Sequence, residues 1–395
     1  MNKKLIIPAT IIILLIVLVV FSCLGDSSKI SLEFKPVKDS LKRPSNIQLN
    51  VYVENSGSMD GYMCPGSNLK DAVYDYVSDL SKHSSHMNLY YINSELIKCN
   101  QPLNEYIQKL TPSSFSAAGG DRTNTDLRKM INTILRTHKT NVVSVFVSDC
   151  ILDIPENAID FFGNCEVSIK NSFNEALKKD KDLGVQILRM QSKFNGYWYC
   201  GANKDFLKNV KRPYYIWVIG NKTVLADFNK KVPVDDIIGG VQNYCAYTSF
   251  GDITFDIDKK RYVINHTGKV NVEILADLSY SLQNAKVLEN TGSYTTSNQA
   301  VARVVAVQSI TAKGSKYSHV INVELSNPKT IKSETVTFSY PVLPSWVETA
   351  NDDKGVDVKK NIDKTTGILY LIKGVSDAYK MQSTYGNITF KIKNK

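Results

Sequence analysis

The sequence is short of the residues on which many metallo-hydrolases and redox enzymes depend. It has five histidines in 395 residues, and only His83 and His86 stand close together. That argues against a zinc enzyme built on histidines, and His83-Ser-Ser-His86 reads as a solvated helix end. None of the seven cysteines forms a C-x-x-C pair, so zinc-ribbon and thioredoxin-like chemistry lack their ligand spacing. No internal repeat and no long low-complexity tract occurs, which excludes solenoids and collagen-like or disordered chains. A nucleophile elbow is missing too, because Gly57-Ser58-Met59-Asp60-Gly61 places Met, not Ser, at its centre. No single-sign charge block is present either. Lys178, Lys179, Lys181, Lys204, Lys208, Lys211 and Arg212 are interleaved with Glu175, Asp180, Asp182 and Asp205, as on a solvated face. Nucleic-acid binding is therefore not expected, and no catalytic dyad points to an enzyme.

What is present is the composition of a foldable protein: 43% hydrophobic, 22% charged and 10% aromatic. The length suggests two domains. The formal net charge of +10 implies mild attraction to anionic surfaces or acidic partners. Lys3 and Lys4 precede an aliphatic run from Leu5 to Phe21, the pattern of a secretory signal. The run ends in Val20-Phe21-Ser22-Cys23, which resembles the lipobox of bacterial lipoproteins. That resemblance implies lipidation at Cys23 and removal of everything before it. The absence of an acidic residue directly after Cys23 leans towards the outer membrane. An uncleaved single-pass anchor in the inner membrane is the alternative, since ~20 apolar residues can span a bilayer. Either way the remainder works outside the cytoplasm. There, Cys64, Cys99, Cys150, Cys165, Cys200 and Cys245 are candidates for disulfides, with Cys150–Cys165 and Cys200–Cys245 as the expected pairs and buried thiols as the alternative.

From Ile47 to about Gly220 strands and helices alternate. Ile47–Val53, Met87–Ile92, Asn141–Val147, Val185–Met190 and Tyr214–Ile219 read as strands. Asn68–Lys82, Leu103–Leu110 and Asp126–His138 read as helices. This predicts an α/β fold: a mostly parallel sheet flanked by helices, with ligands beyond the carboxyl ends of its strands. From Tyr247 onward, short runs such as Val270–Ala276, Ile321–Leu325 and Val336–Tyr340 predict an antiparallel β-sandwich of immunoglobulin-like size. Gly367–Tyr379 is left open between helix and strand, and Asn387–Ile392 reads as a closing strand. Tyr197-Trp198-Tyr199-Cys200 reads as half-buried packing or as an exposed contact patch.

Two predicted strand ends carry the chemistry. The first runs into Glu54-Asn55-Ser56-Gly57-Ser58-Met59, and the buried strand ends in Val147-Ser148-Asp149. Between them, Gly119-Gly120-Asp121-Arg122-Thr123-Asn124-Thr125 precedes a helix. In this order the segments resemble the metal-ion-dependent adhesion site of the von Willebrand factor A family. The resemblance implies a von Willebrand factor A-like (Rossmann-like) sheet and a Mg²⁺ or Mn²⁺ site made by Glu54, Ser56, Ser58, Thr123 and Asp149, with Thr125 as the alternative to Thr123. Hydroxyls two residues apart in a tight turn can aim at one point, as an octahedral Mg²⁺ requires. A neutral, hydroxyl-rich shell leaves the ion electrophilic towards an acidic group. Glu54 stands where the family has Asp, and Cys150 follows Asp149 where Gly is common. The expected organisation is a signal or anchor at 1–23, a tether at 24–45, a von Willebrand factor A-like domain at 46–245 and the β-sandwich with its extension at 246–395. The expected activity is metal-assisted binding of a protein or other acidic ligand at the cell envelope, by a protein held to the membrane through lipid. A structural subunit with a metal-free site is the alternative.

Overall fold

A computed structural model describes residues 29–35, 41–123, 125–155, 160–258, 262–312, 314–340, 343–380 and 385–394. The signal segment and Cys23 lie outside the described residues. Among the described residues no helix is long and apolar enough to cross a membrane.

The first strands are β1 (Lys29–Glu33), β2 (Gln48–Glu54), β3 (His86–Ile92), β4 (Leu96–Cys99) and β5 (Val142–Ser148). Two long strands follow, β6 (Leu183–Cys200) and β7 (Asn203–Asn221), and then β8 (Asn243–Thr248). The C-terminal part holds β9 (Thr254–Ile257), β10 (Tyr262–Val263), β11 (Lys269–Asp277), β12 (Tyr294–Thr296), β13 (Ala302–Ser309), β14 (His319–Ser326) and β15 (Ser333–Ser339). The short pair β16 (Asn351–Asp352) and β17 (Thr365–Thr366) and the closing β18 (Tyr385–Asn394) complete the set. The longer helices are α1 (Leu69–Ser81), α2 (Leu127–Thr137), α3 (Phe161–Lys179), α4 (Lys222–Lys231) and α5 (Ile368–Lys380).

The expected fold class, a mostly parallel Rossmann-like sheet, is overturned. The protein is mostly β, at 37% strand and 30% helix, with several antiparallel sheets and one mixed sheet. The mixed sheet runs β4-β3-β2-β5-β7-β6-β8. Only β3, β2 and β5 are paired in parallel, and every other ladder in that sheet is antiparallel. The reason is local. Val185–Met190 and Tyr214–Ile219 read as two separate strands of a strand–helix alternation, but they are halves of one hairpin. The polar and aromatic residues between them continue both strands to a two-residue turn at Gly201–Ala202, where Gly201 takes φ +56°. Glycine enters that left-handed region without steric cost, which lets so tight a turn join the strands. The returning β7 then enters the sheet antiparallel, between β5 and β6.

Helices cover both faces of the mixed sheet. One core joins Val51, Val53 and Val145 to the apolar stripe of α1 (Leu69, Val73, Val77, Leu80). The opposite core joins Phe146, Ile187 and Trp217 to α2, α3 and α5. Helix α5 settles the ambiguous Gly367–Tyr379 segment. Its apolar residues recur at helical spacing, and Ile368, Leu371, Ile372 and Val375 are buried on that core. Two further antiparallel sheets, β10-β1-β18-β15-β12 and β13-β14-β11-β9, enclose a third core around Val272, Ile321 and Phe338. Lys29–Glu33, inside the stretch read as a tether, is strand β1 and lies between β10 and β18. Helix α5, inside the stretch assigned to the sandwich, packs on the mixed sheet instead.

The expected disulfides do not form, and all six of these cysteines are free. Cys200 and Cys245 belong to cores on opposite faces of the mixed sheet. Cys150 and Cys165 share a core as unpaired thiols, and burial pushes Cys165 up to about 11.

Helix α5 meets α3 through Gly374. A Cβ added there would lie 2.6 Å from the Glu166 carbonyl oxygen and 2.9 Å from Ile169 Cβ. In a free helix, Gly→Ala adds about 1 kcal/mol of stability. Here the overlap is expected to outweigh that gain, so Gly374→Ala should lower stability by ~1–3 kcal/mol. Urea unfolding is the measurement, and a stabilised variant would disprove close packing between these helices.

Candidate functional site

The parallel pairing of β2 with β5 brings the two sequence signals together. Val53 faces Val147 across the ladder, so the next residues, Glu54 and Ser148-Asp149, emerge side by side. Both carboxylates are buried. The Ser148 hydroxyl donates to Glu54 Oε2 and accepts from the Cys150 N–H at 2.8 Å. Asp149 Oδ1 accepts from the Ile151 N–H at 3.3 Å, whereas its Oδ2 is buried without a hydrogen-bond partner. Cys150 sits at φ +56°. The backbone turn after Asp149 therefore needs the left-handed conformation that glycine adopts freely and cysteine adopts at a cost.

After Glu54 the chain leaves the sheet and coils into a short 3₁₀ turn, Ser58–Met63. Asn55 N–H still donates to the Ile92 carbonyl, at 3.1 Å, and Met59 N–H closes onto the Ser56 carbonyl at 3.3 Å. This turn places the Ser56 and Ser58 hydroxyls 3.1 Å apart. Gly61 makes it possible, since a Cβ there would fall 2.3 Å from the Phe194 ring of β6.

The Gly-rich loop closes the site through Arg122. Its Nε donates to the Asn55 carbonyl at 2.7 Å, and one terminal nitrogen reaches the Ser56 carbonyl at 3.2 Å and Asp60 at 2.5 Å. In return the Arg122 carbonyl accepts from Gly57 N–H at 3.0 Å. Thr123 is exposed, and both its N–H and its hydroxyl donate to Asp121 Oδ1, at 2.8 and 2.7 Å. Its lone pairs remain available, and both Thr123 and Thr125 line the cavity.

That cavity has a volume of about 440 Å³, and Glu54, Ser56, Ser58, Asp60, Arg122, Asp153, Tyr199 and Lys204 are among its walls. The residues expected from the sequence are Glu54, Ser56, Ser58, Thr123 and Asp149. Four of these gather at the strand ends or just beneath them, while Thr123 stands on the rim. Asp60, Arg122, Asp153 and the Tyr199–Lys204 wall also belong to the site, without a signal in the sequence that marks them. Arg122 and Asp60 lie 62 positions apart, and no local spacing announces such a pair. The wall is brought in by the hairpin.

Electrostatics set the site's chemistry. Burial, reinforced by the neighbouring Asp149 charge, pushes Glu54 up to about 8. Burial also raises Asp149, against the Ser58 hydroxyl, the Ile151 N–H and the Arg212 charge, which hold it down. Two adjacent buried carboxylates resist double ionisation. Among the described residues no cluster of three or more His, Cys, Asp or Glu able to hold a metal comes together. The oxygens present are a different donor set: two hydroxyls, one unpartnered buried carboxylate oxygen and a second carboxyl. That set fits a hard dication which keeps several waters and is bound by one or two carboxylates.

Comparison of the chain with protein-family models and with curated proteins finds no match.

The raised Glu54 gives a signed expectation for the metal-free protein. The unfolded chain releases this proton near 4.5 and the folded chain near 8. The contribution of neutral Glu54 is therefore complete below about 4.5 and is lost as pH rises to about 8. Melting temperatures measured in EDTA across that range should fall with pH, and more steeply for wild type than for Glu54→Gln. Equal slopes would show that Glu54 is not the source.

Proposed function

We propose that this protein is a binding protein of the cell envelope, held to the membrane through lipid at Cys23, most simply the outer membrane. Its strand-end site holds Mg²⁺ or Mn²⁺ and takes up an acidic group of a protein or other ligand. The observation that carries the reading is the convergence of Glu54, Ser56, Ser58 and the unpartnered Asp149 oxygen below a cavity open to solvent. The order of the three loop segments, which resembles the von Willebrand factor A adhesion site, supports the same reading.

Ser56, Ser58 and Asp149 would hold the ion directly, and Thr123 or Thr125 would complete the set from the rim. Glu54, held by Ser148, would act from beside them. The ion would supply an electrophilic centre for a carboxylate oxygen. Arg122 keeps the turn in shape by tying Asn55 and Ser56 to Asp60, so the hydroxyls stay convergent as ligand comes and goes. This is a binder's arrangement: it orients and holds.

A structural subunit with a metal-free site is the second reading. It is favoured by the internal bonds that Glu54 makes to Ser148 and Thr123 makes to Asp121. Titration calorimetry separates the two. The metal reading expects one divalent ion per chain, with the affinity for Mg²⁺ or Mn²⁺ lost in Ser58→Ala while the fold persists. Absence of divalent binding to the wild-type protein would leave the structural reading. For the anchor, incorporation of labelled fatty acid should disappear in Cys23→Ala, and lipid retained by that variant would refute lipidation there.

A further inference from the structure

The hairpin of β6 and β7 projects past its partners in the sheet. Strand β8 pairs with β6 only from Gly184 to Arg189, and β5 pairs with β7 only from Tyr215 to Ile219. Beyond these points the hairpin is an arm with two unlike faces. Residues alternate across it, and the register sets Tyr197 opposite Phe206 and Tyr199 opposite Lys204. The neighbouring pairs, Trp198 with Asp205 and Cys200 with Asn203, fall on the other face.

The second face is already covered by the segment between β16 and β17. Asn203 donates to the Gly355 carbonyl at 3.1 Å, and Lys359 pairs with Asp205 at 2.7 Å. Trp198 and Cys200 are buried. The first face carries Tyr197, Tyr199 and Phe206 at 46%, 37% and 47% exposure. These rings are packed on one another: Tyr197 lies 5.1 Å from Phe206, edge to face, and 6.1 Å from Tyr199. The Lys204 ammonium sits 4.2 Å from the Tyr197 ring centre and 5.3 Å from that of Tyr199.

We infer that this aromatic face is a docking surface for an acidic segment of polypeptide that carries apolar or aromatic side chains. Charge supplies the sign of the partner. Lys204, Lys208 and Lys211 are exposed on β7, and the single acidic residue among them, Asp205, is neutralised by Lys359. Shape supplies the class. Tyr199 and Lys204 line the polar cavity as well as the patch, and the Tyr199 ring stands 3.6 Å from where a Cβ on Gly57 would be. A flat bilayer can meet the rings but cannot follow the surface into that recess. A chain can lay an apolar side chain on the rings and set a carboxylate against Lys204 at the mouth of the recess, short of Ser58 and of the Glu54, Asp60 and Asp153 carboxyls that line it. Self-packed rings also lose little freedom on binding, which suits them as anchors. The surface does not depend on the metal reading.

A fluorescently labelled random copolymer of glutamate and tyrosine, with the full-length protein in EDTA, tests the inference by anisotropy. Binding is expected to weaken as salt rises and to fall by at least about tenfold in Tyr197→Ala/Phe206→Ala. Lys204→Gln should weaken it several-fold, and polyglutamate alone should bind far less well. All three changed residues are exposed, and unchanged melting curves would show that the variants fold. Ser58→Ala should leave binding in EDTA unaltered. Undiminished binding by the double variant overturns the inference, as does loss of EDTA binding in Ser58→Ala, which would move the contact to the strand-end site. Phosphatidylglycerol vesicles bound through the same residues, with no copolymer bound, would overturn it in favour of a lipid surface.

Discussion

The chain reverses at Gly201–Ala202, and β7 therefore returns antiparallel to β6 and enters the mixed sheet beside β5. Three consequences follow from that one turn. The sheet stops being parallel past β5. The far half of the hairpin extends beyond the sheet and becomes a wall of the cavity at the strand ends. Finally, Phe194 is pressed against Gly61, which fixes the turn that presents Ser56 and Ser58. A hairpin of 18- and 19-residue strands thus ties the fold, the site and the exposed arm together.

The site itself is an electrostatic compromise. Burying Glu54 and Asp149 together disfavours their charge, and the buried Arg212 answers only part of it. Arg212 also donates to the carbonyls of Ile362 and Lys364, at 3.4 Å each. The C-terminal segment that covers the inner face of the arm is thereby linked to the carboxylate pair. Burial raises both carboxyls, so each holds its proton more firmly than it would in water.

Much of the local structure was legible. The strands before Glu54 and Asp149 and helices α1 and α2 follow from apolar spacing, and their observed limits lie within one or two residues of those expected. Glu54, Ser56, Ser58 and Asp149 were legible as a set because each directly follows a strand. The hairpin was not. Between Met190 and Tyr214, buried positions such as Phe194 and Trp198 alternate with polar and exposed ones, and such a run also reads as loop and solvated helix. The Ile368–Lys380 helix was ambiguous for the opposite reason, since a short apolar run suits either element.

The sequence by itself determined where strands end in hydroxyls and carboxylates, because side-chain chemistry and hydrophobic period are properties of neighbouring residues. Only the tertiary structure decided strand direction, the pairing of Arg122 with Asp60, the free state of the cysteines and the aromatic wall. Those depend on which distant segments share a ladder or a core, and residues 62 or 150 positions apart, such as Asp60 with Arg122 and Tyr215 with Thr365, leave no periodic trace of their meeting.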